Sequence, residues 1–308
     1  MAAFRLRIGT RGSPLALAQA HETRARLAAA HGADPELYEL VVIKTSGDMI
    51  QDRALSEAGG KGLFTKEIDA AMLRGEIDLA VHSSKDLPTL MPEGIALAGY
   101  LPREDVRDAL ISARSDTFAG LPQGGTLGTA SLRRQAQAKR LRPDLQIGLL
   151  RGNVETRLGK AERGEIDATL LAYAGLKRLG LAHRATALLD IENFLPAVGQ
   201  GAIGFTARPD DSAARAALAP ILDEATRQAL ACERAFLTVL DGSCKTPIAG
   251  HARVDGGGIR FRGAVYRTDG SEAFEVTAAG DVGDAARLGA QAGHDLLARL
   301  PQGVLAAH

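Results

Sequence analysis

The five residues Arg74-Gly75-Glu76-Ile77-Asp78 recur unchanged as Arg163-Gly164-Glu165-Ile166-Asp167, and each copy leads into a short apolar run. A repeated turn that feeds a repeated buried strand implies that one α/β unit is used twice. Two other landmarks keep the same order. Gly9-Thr10 and then Ser13 precede an apolar helical run from Leu15 to Ala30, as Gly128-Thr129 and Ser131 precede a helical run carrying Arg133 and Arg134. Thr45-Ser46-Gly47 follows the strand-like Leu37 to Ile43, as Arg151-Gly152-Asn153 follows Leu145 to Leu150. The offset falls from 119 (Thr10 to Thr129) to 89 (Gly75 to Gly164), so the second copy is the shorter.

Strands alternating with helices predict parallel sheets, whose ligands bind at the carboxyl ends of the strands. The expected fold class is therefore α/β, with two similar doubly wound domains flanking a cleft, like periplasmic binding proteins, and a small C-terminal α+β domain. The chain of 308 residues is too long for one typical core and divides on this reading into three parts. Residues 1–101 and 200–219 form the first domain, 105–195 the second and 222–308 the third. Leu195 to Ala207, dense in glycine, is the crossover back to the first domain. Beyond it, Ala213 to Leu240 reads as one helix, Gly258 to Tyr266 and Ala273 to Ala278 as antiparallel strands, and Ala285 to Leu300 as a last helix.

The strand Ile77 to His82 ends in Ser83-Ser84-Lys85-Asp86-Leu87-Pro88, which sets a lysine and a carboxylate side by side where a site floor would lie. Ser13 is a candidate N-cap with Pro14 at the first helical position, and Arg11 adds charge to that helix N-terminus, an anion site in waiting. In the expected cleft, Arg11, Ser13, Lys85 and Asp86 face Ser131, Arg133, Arg134, Arg151, Arg157 and Arg178. That is a cationic ligand site holding one carboxylate. Arginine predominates in the chain: eight of its 37 basic residues are lysines, which leaves 29 arginines, the better fork for carboxylates and phosphates.

Formal net charge is zero, which argues against nucleic acid or an acidic membrane surface as partner. No apolar run reaches the roughly 18 residues of a membrane span, and Arg5 and Arg7 interrupt the start, so the expected location is cytoplasmic. Cys232 sits on an apolar helical face and reads as core, whereas Cys244 lies on a turn beside Lys245, whose charge favours the thiolate. The seven histidines form no ligand pair with a cysteine, so no metal is expected. Gly59-Gly60-Lys61-Gly62 lacks the spacing and the hydroxyl of a phosphate loop. The polar segment Thr45 to Gly60 is a candidate cover for the cleft.

Seven segments in order carry a resemblance: Thr10 to Ala16, Gly59 to Phe64, Val81 to Pro88, Gly128 to Arg134, Leu150 to Val154, Leu195 to Gly201 and Gly242-Ser243-Cys244. Together they resemble the porphobilinogen deaminase family, the hydroxymethylbilane synthases, along nearly the whole chain. The resemblance implies an enzyme that condenses four porphobilinogen molecules head to tail, releasing ammonia at each addition. It also implies a dipyrromethane primer joined by a thioether to Cys244. Asp86 matches the family's essential carboxylate. Lys85, Ser13, Thr129, Ser131, Arg133 and Arg134 match its cofactor contacts, and Arg11, Arg151, Arg157, Arg178 and Phe64 its substrate contacts. The implied partner is the small-molecule substrate alone, with the protein a monomer. Read without the resemblance, the same cationic cleft also suits a non-enzymatic anion-binding protein. Asp86 and Cys244 separate the two, since a receptor for anions has no use for either.

Overall fold

The computed structural model describes residues 5–49, 62–240 and 246–305. In chain order, strand β1 (Leu6–Arg11) is followed by helix α1 (Pro14–His31), β2 (Tyr38–Ile43), the one-turn α2 (Ser46–Met49), α3 (Lys66–Leu73), β3 (Leu79–Ser83) and β4 (Ala96–Tyr100). Next come β5 (Asp108–Ile111), β6 (Thr126–Gly128), α4 (Leu132–Leu141), β7 (Gln146–Gly148), α5 (Val154–Glu162), β8 (Ala168–Ala172), α6 (Tyr173–Arg178) and the two-residue β9 (Ala187–Leu188). The chain ends with β10 (Ile203–Ala207), α7 (Ser212–Leu218), α8 (Glu224–Val239), β11 (Ile248–Asp255), β12 (Gly258–Tyr266), β13 (Ala273–Asp281) and α9 (Ala285–Leu297).

These elements make two sheets of one design. The first runs β2-β1-β3-β10-β4 and the second β7-β6-β8-β5-β9, so every strand of one has a counterpart in the other. The repeated pentapeptide does the same work in both. Arg74 and Arg163 pair with Glu76 and Glu165 two residues on, and Gly75 and Gly164 each turn with φ of 72°. A left-handed residue there costs glycine nothing and closes the helix before the next strand.

The sheets are mixed, against the expectation of parallel ones. β1, β2 and β3 are mutually parallel, as are β6, β7 and β8, but β10 runs antiparallel to β3 and to β4, and β5 antiparallel to β8 and β9. The reason is where these strands start. Ile203 pairs with Ser83 and Asp108 with Ala172, so each enters at the carboxyl edge of its sheet and can only run back along it.

By contact density the chain forms two compact units, one built on residues 5–49, 62–104 and 202–227, the other on 105–201, 228–240 and 246–305. The core of the first gathers Leu6, Ile8 and Leu27 with Tyr38, Val81 and Phe205. In the second, Leu110, Leu127, Leu170 and Phe194 fill one cluster, while Cys232, Phe236, Phe261 and Leu296 fill another beneath the three-stranded sheet β11-β12-β13. Ala136, Leu195, Ala249, Ala264 and Tyr266 join these layers within the unit. Glu233, fully buried in α8, accepts the backbone N–H groups of Gly199 and Ala252, both at 2.8 Å.

The single helix expected over Ala213 to Leu240 is two. Pro220, which lacks an N–H to donate, ends α7 in a 3-10 turn at Ala219–Ile221, and Asp223 restarts the chain by accepting Thr226 N–H at 2.7 Å. The strand β11 had no separate sign in the sequence. The last helix stops at Leu297, and Cys232 is core as expected, 0% exposed.

Candidate active site

Both parallel triplets present their strand carboxyl ends with a capped helix beside them. In the first unit β1 ends at Arg11, and Thr10, fully buried, donates its hydroxyl to Ala16 O at 3.2 Å, which ties the start of α1 to the strand. Ser13 caps α1 by accepting Ala16 N–H, with Pro14 at the first helical position. β3 ends at Ser83, whose hydroxyl pairs with the Gln19 side chain, and the 3-10 turn Ser84–Asp86 then turns Lys85 and Asp86 out at the strand end.

Arg11 Nη1 stands 3.8 Å from Asp86 Oδ2, and the Arg11 guanidinium carbon lies 4.1 Å from the centre of the Phe64 ring. A guanidinium over an aromatic face is favourable and leaves its edges free to bond. One of those edges is engaged by Asp48, which accepts from Nε at 3.2 Å and from Nη2. Arg11 thus lies between two carboxylates, Asp48 and Asp86. Gly47 is required beneath it, because a Cβ there would come within 2.4 Å of the Phe64 ring. Ser84, two residues before Asp86, keeps its Oγ buried with no hydrogen-bond partner among the described residues.

In the second unit the carboxyl end of β6 carries Thr129 and Ser131 into α4. Ser131 N–H donates to Thr129 Oγ1 at 3.1 Å, and Ser131 Oγ caps the helix by accepting Arg134 N–H. Arg133 and Arg134 are buried and share Asp108: Arg133 Nη2 reaches Oδ2 at 2.7 Å, and Arg134 Nη2 and Nε reach Oδ1 at 2.6 and 3.1 Å. They also donate to Leu195 O and Leu170 O, and Gln200 Nε2 adds a bond to Asp108 at 3.1 Å. Burial works against the Asp108 carboxylate, but the two guanidiniums more than offset it and hold the group ionised far below the usual carboxylate range. Burial in turn pulls Arg133 down from its ordinary value. Two guanidiniums against one carboxylate leave one net positive charge here. Both arginines therefore have a structural task beside any ligand.

Arg151 follows β7, and Arg157 lies in the first turn of α5, which Asn153 caps by accepting Thr156 N–H at 2.8 Å; Arg157 Nε donates to Gly152 O at 2.9 Å. Arg178 closes α6 and donates to Gly201 O at 3.0 Å. The structure thus groups Arg11, Phe64 and Asp86 in the first unit, and Thr129, Ser131, Arg133 and Arg134 in the second. Cys244 and the segment 50–61 lie outside the described residues. The sequence did not point to Asp48, Asp108 or Gln200 as site residues. Asp48 and Gln200 adjoin glycines and Asp108 carries not even that sign, and their partners stand 37, 25 and 92 residues away.

A dipyrromethane carries carboxylate side chains, and the donor set in the second unit fits such a group. Arg133 Nε is buried with no hydrogen-bond partner among the described residues, beside the N-terminus of α4 and next to a net positive charge. An unpaired buried donor is costly, and a ligand carboxylate would satisfy it.

The model of the porphobilinogen deaminase dipyromethane cofactor binding domain matches residues 6–216, and that of the porphobilinogen deaminase C-terminal domain matches residues 228–298. A porphobilinogen deaminase of Nitrobacter winogradskyi is 59% identical over 292 residues, covering 95% of this chain and 92% of the relative. One from Nitrobacter hamburgensis is 58% identical over the same shares. Among solved structures, a nutrient binding protein from Burkholderia cenocepacia bound to methionine aligns with 72% of this chain and 94% of its own at 14% identity and a TM-score of 0.42. A Salmonella typhimurium periplasmic binding protein with high arginine specificity aligns with 70% and 92% at 10% identity and a TM-score of 0.39. With both domain models matched in chain order and relatives this similar across 95% of its length, the chain belongs to the porphobilinogen deaminase family.

Proposed function

We propose that Asp86, with Arg11 and Phe64 around it, carries the chemistry of this hydroxymethylbilane synthase, which joins four porphobilinogen molecules head to tail and releases an ammonia at each addition. The observation that carries the assignment is the placing of Asp86 at the end of a buried strand, 3.8 Å from Arg11 Nη1 and with a carboxylate edge still exposed. Loss of ammonia from porphobilinogen leaves a cationic pyrrole, and attack on it by the next ring keeps positive charge near ring nitrogen. An ionised carboxylate fixed beside that nitrogen accepts its N–H and stabilises the charge where it develops. It is also placed to take the proton released when the ring regains aromaticity.

The dipyrromethane primer, joined by a thioether to Cys244 in this reading, supplies the free pyrrole carbon from which the chain grows. Arg133, Thr129 and Ser131 hold its carboxylates, with Arg134, Lys85 and Ser13 as further contacts. Arg151, Arg157 and Arg178 hold the acetate and propionate groups of incoming rings; forked donors at the start of α5 and at the end of α6 let a lengthening chain move from one to the next. The three-domain division given above, a monomeric state and a cytoplasmic location belong to the same reading. Among the described residues no helix is long and apolar enough to cross a membrane.

Two variants test it. Intact mass of the active protein should exceed that of the chain by a dipyrromethane, and Cys244→Ser should remove the excess; an active protein of unmodified mass refutes the primer assignment. Asp86→Asn should keep the adduct and lose ammonia release by a factor of order a thousand, the scale of removing one electrostatic stabiliser. Near-normal release would end its role as the catalytic carboxylate.

A further inference from the structure

Arg11, which the reading above sets against the reacting rings, is held in place by a residue the sequence marks only as loop. We infer that Asp48 is a positioning residue for the condensation, acting through Arg11 on Asp86. The inference rests on the assignment of Arg11 and Asp86 to the reacting rings. Asp48 takes two nitrogens of the guanidinium, Nε at 3.2 Å and Nη2, so the plane of the fork is fixed and cannot turn about its last torsion. With that edge engaged, Nη1 is the nitrogen left facing Asp86, at 3.8 Å, and the flat of the group rests over Phe64.

Asp48 is itself built in. Thr45, fully buried, donates its hydroxyl to Asp48 Oδ2 at 2.8 Å, and Asp48 N–H closes the turn on Thr45 O at 3.1 Å. The turn is pinned on either side, by Gly47 N–H to Leu63 O at 2.8 Å and by Ser46 N–H to Glu67 Oε1 at 3.1 Å. Desolvation opposes the charge on Asp48, but the bonds from Arg11 and Thr45 outweigh it and keep the carboxyl below its ordinary range.

The separation of 3.8 Å is what Asp48 maintains. A guanidinium released on its Nε edge would close on Asp86 as a direct forked pair, the geometry these two groups prefer. That would occupy the carboxylate oxygens that the substrate N–H needs. Tethered to Asp48, Arg11 steers Asp86 without covering it. Loss of the tether therefore slows the chemical step and leaves substrate binding, which rests on other arginines, little changed.

Kinetics of Asp48→Asn, Arg11→Lys and the double variant test this, with intact mass and thermal unfolding to show that each is folded and primed. Asp48→Asn should lower kcat roughly ten- to hundredfold, the worth of a charged hydrogen-bonded pair, with KM for porphobilinogen within about twofold of the parent. In the Arg11→Lys background the same change should cost little more, and Asp48→Glu should recover part of the loss. Thr45→Val, which loosens Asp48 and keeps its charge, should lower kcat by a smaller factor. A parental kcat in Asp48→Asn while Arg11→Lys is slow overturns the inference, as do losses that multiply in the double variant. If Arg11→Lys and Asp86→Asn themselves turn over normally, it is the assignment of Arg11 and Asp86 that fails.

Discussion

Asp78 and Asp167 hold the same place in two different sheets: each carboxylate accepts the backbone N–H of the neighbouring first strand, from Arg7 at 2.8 Å and from Thr126 at 2.7 Å. Each also donates its own N–H to the carbonyl of that same residue, at 2.9 and 3.0 Å. The last residue of the repeated pentapeptide is thus the clasp that sets the register of β3 on β1 and of β8 on β6. That explains why it recurs with the turn before it.

The two clasps differ in strength. Asp78 also takes the Arg7 fork, at 2.7 and 3.2 Å, with Arg208 at 3.7 Å, while among the described residues Asp167 has Arg114 at 3.5 Å besides its backbone bond. Asp78→Ala should cost about 2–3 kcal/mol and Asp167→Ala about 1 kcal/mol, because bonds to charged groups are worth more and Arg114 is largely exposed. Urea unfolding of the two variants measures this; a larger loss in Asp167→Ala would contradict it. Burial raises the Asp78 carboxyl, but the Arg7 bonds outweigh it and leave its pKa depressed. Its share of stability is therefore present at neutral pH and lost as pH falls through the acid range.

What could be read from the sequence was whatever is settled by near neighbours. The cap at Ser13 and the turns at Gly75 and Gly164 are fixed within four residues of the chain, and they stand where the residue pattern put them; Ser131, placed before its helix in the same way, caps α4. The strands β4, β5 and β9 were not legible. They are two to five residues long, and partners far along the chain make them strands. Mixed sheets escaped notice for the same reason, since the direction of β10 depends on where a crossover of about a hundred residues returns. Pro220 was legible and outweighed: the alanine-rich pattern on both sides reads as one helix until the missing N–H is counted. At the site, Asp86 stood out because it breaks a buried apolar run. Asp48 and Asp108 gave no comparable sign, since each is defined by the arginines it meets.

The Asp108 triad gives a prediction of opposite signs. Asp108→Asn leaves two buried guanidiniums with no counter-charge and should cost on the order of 3–5 kcal/mol. Adding Arg134→Met removes one of the stranded charges and should restore part of the loss. A chemical denaturation series over parent, single and double variants reads both steps. If the double variant is less stable than Asp108→Asn by the full cost of a second independent mutation, the three residues do not act as a unit.

Thiol counting checks both cysteines at once. Burial, with Glu233 beside it, pushes the Cys232 thiol up to about 12, so it should not react with a thiol reagent at pH 8 in the folded protein. After denaturation the parent should show one reactive thiol, Cys232, because Cys244 is held as a thioether, and Cys244→Ser should also show one. Two thiols in the denatured parent would mean that Cys244 is free.

His82 supplies the pH dependence. It is buried in β3, its Nε2 lies 3.0 Å from Thr206 Oγ1, and desolvation first, with the charge of Arg11 second, lowers its pKa from 6.5 to about 4. The folded state thus holds the ring neutral where the unfolded chain would protonate it. Between about pH 6.5 and 4 the unfolded chain binds more protons, so stability rises with pH across that window and is complete above it. Going from pH 8 to pH 5 should remove about 2 kcal/mol through this residue alone. His82→Gln keeps a partner for Thr206 and cannot titrate, so its urea midpoint should fall less than that of the parent over the same interval. Equal falls in the two proteins would show that the ring is not held neutral by the fold.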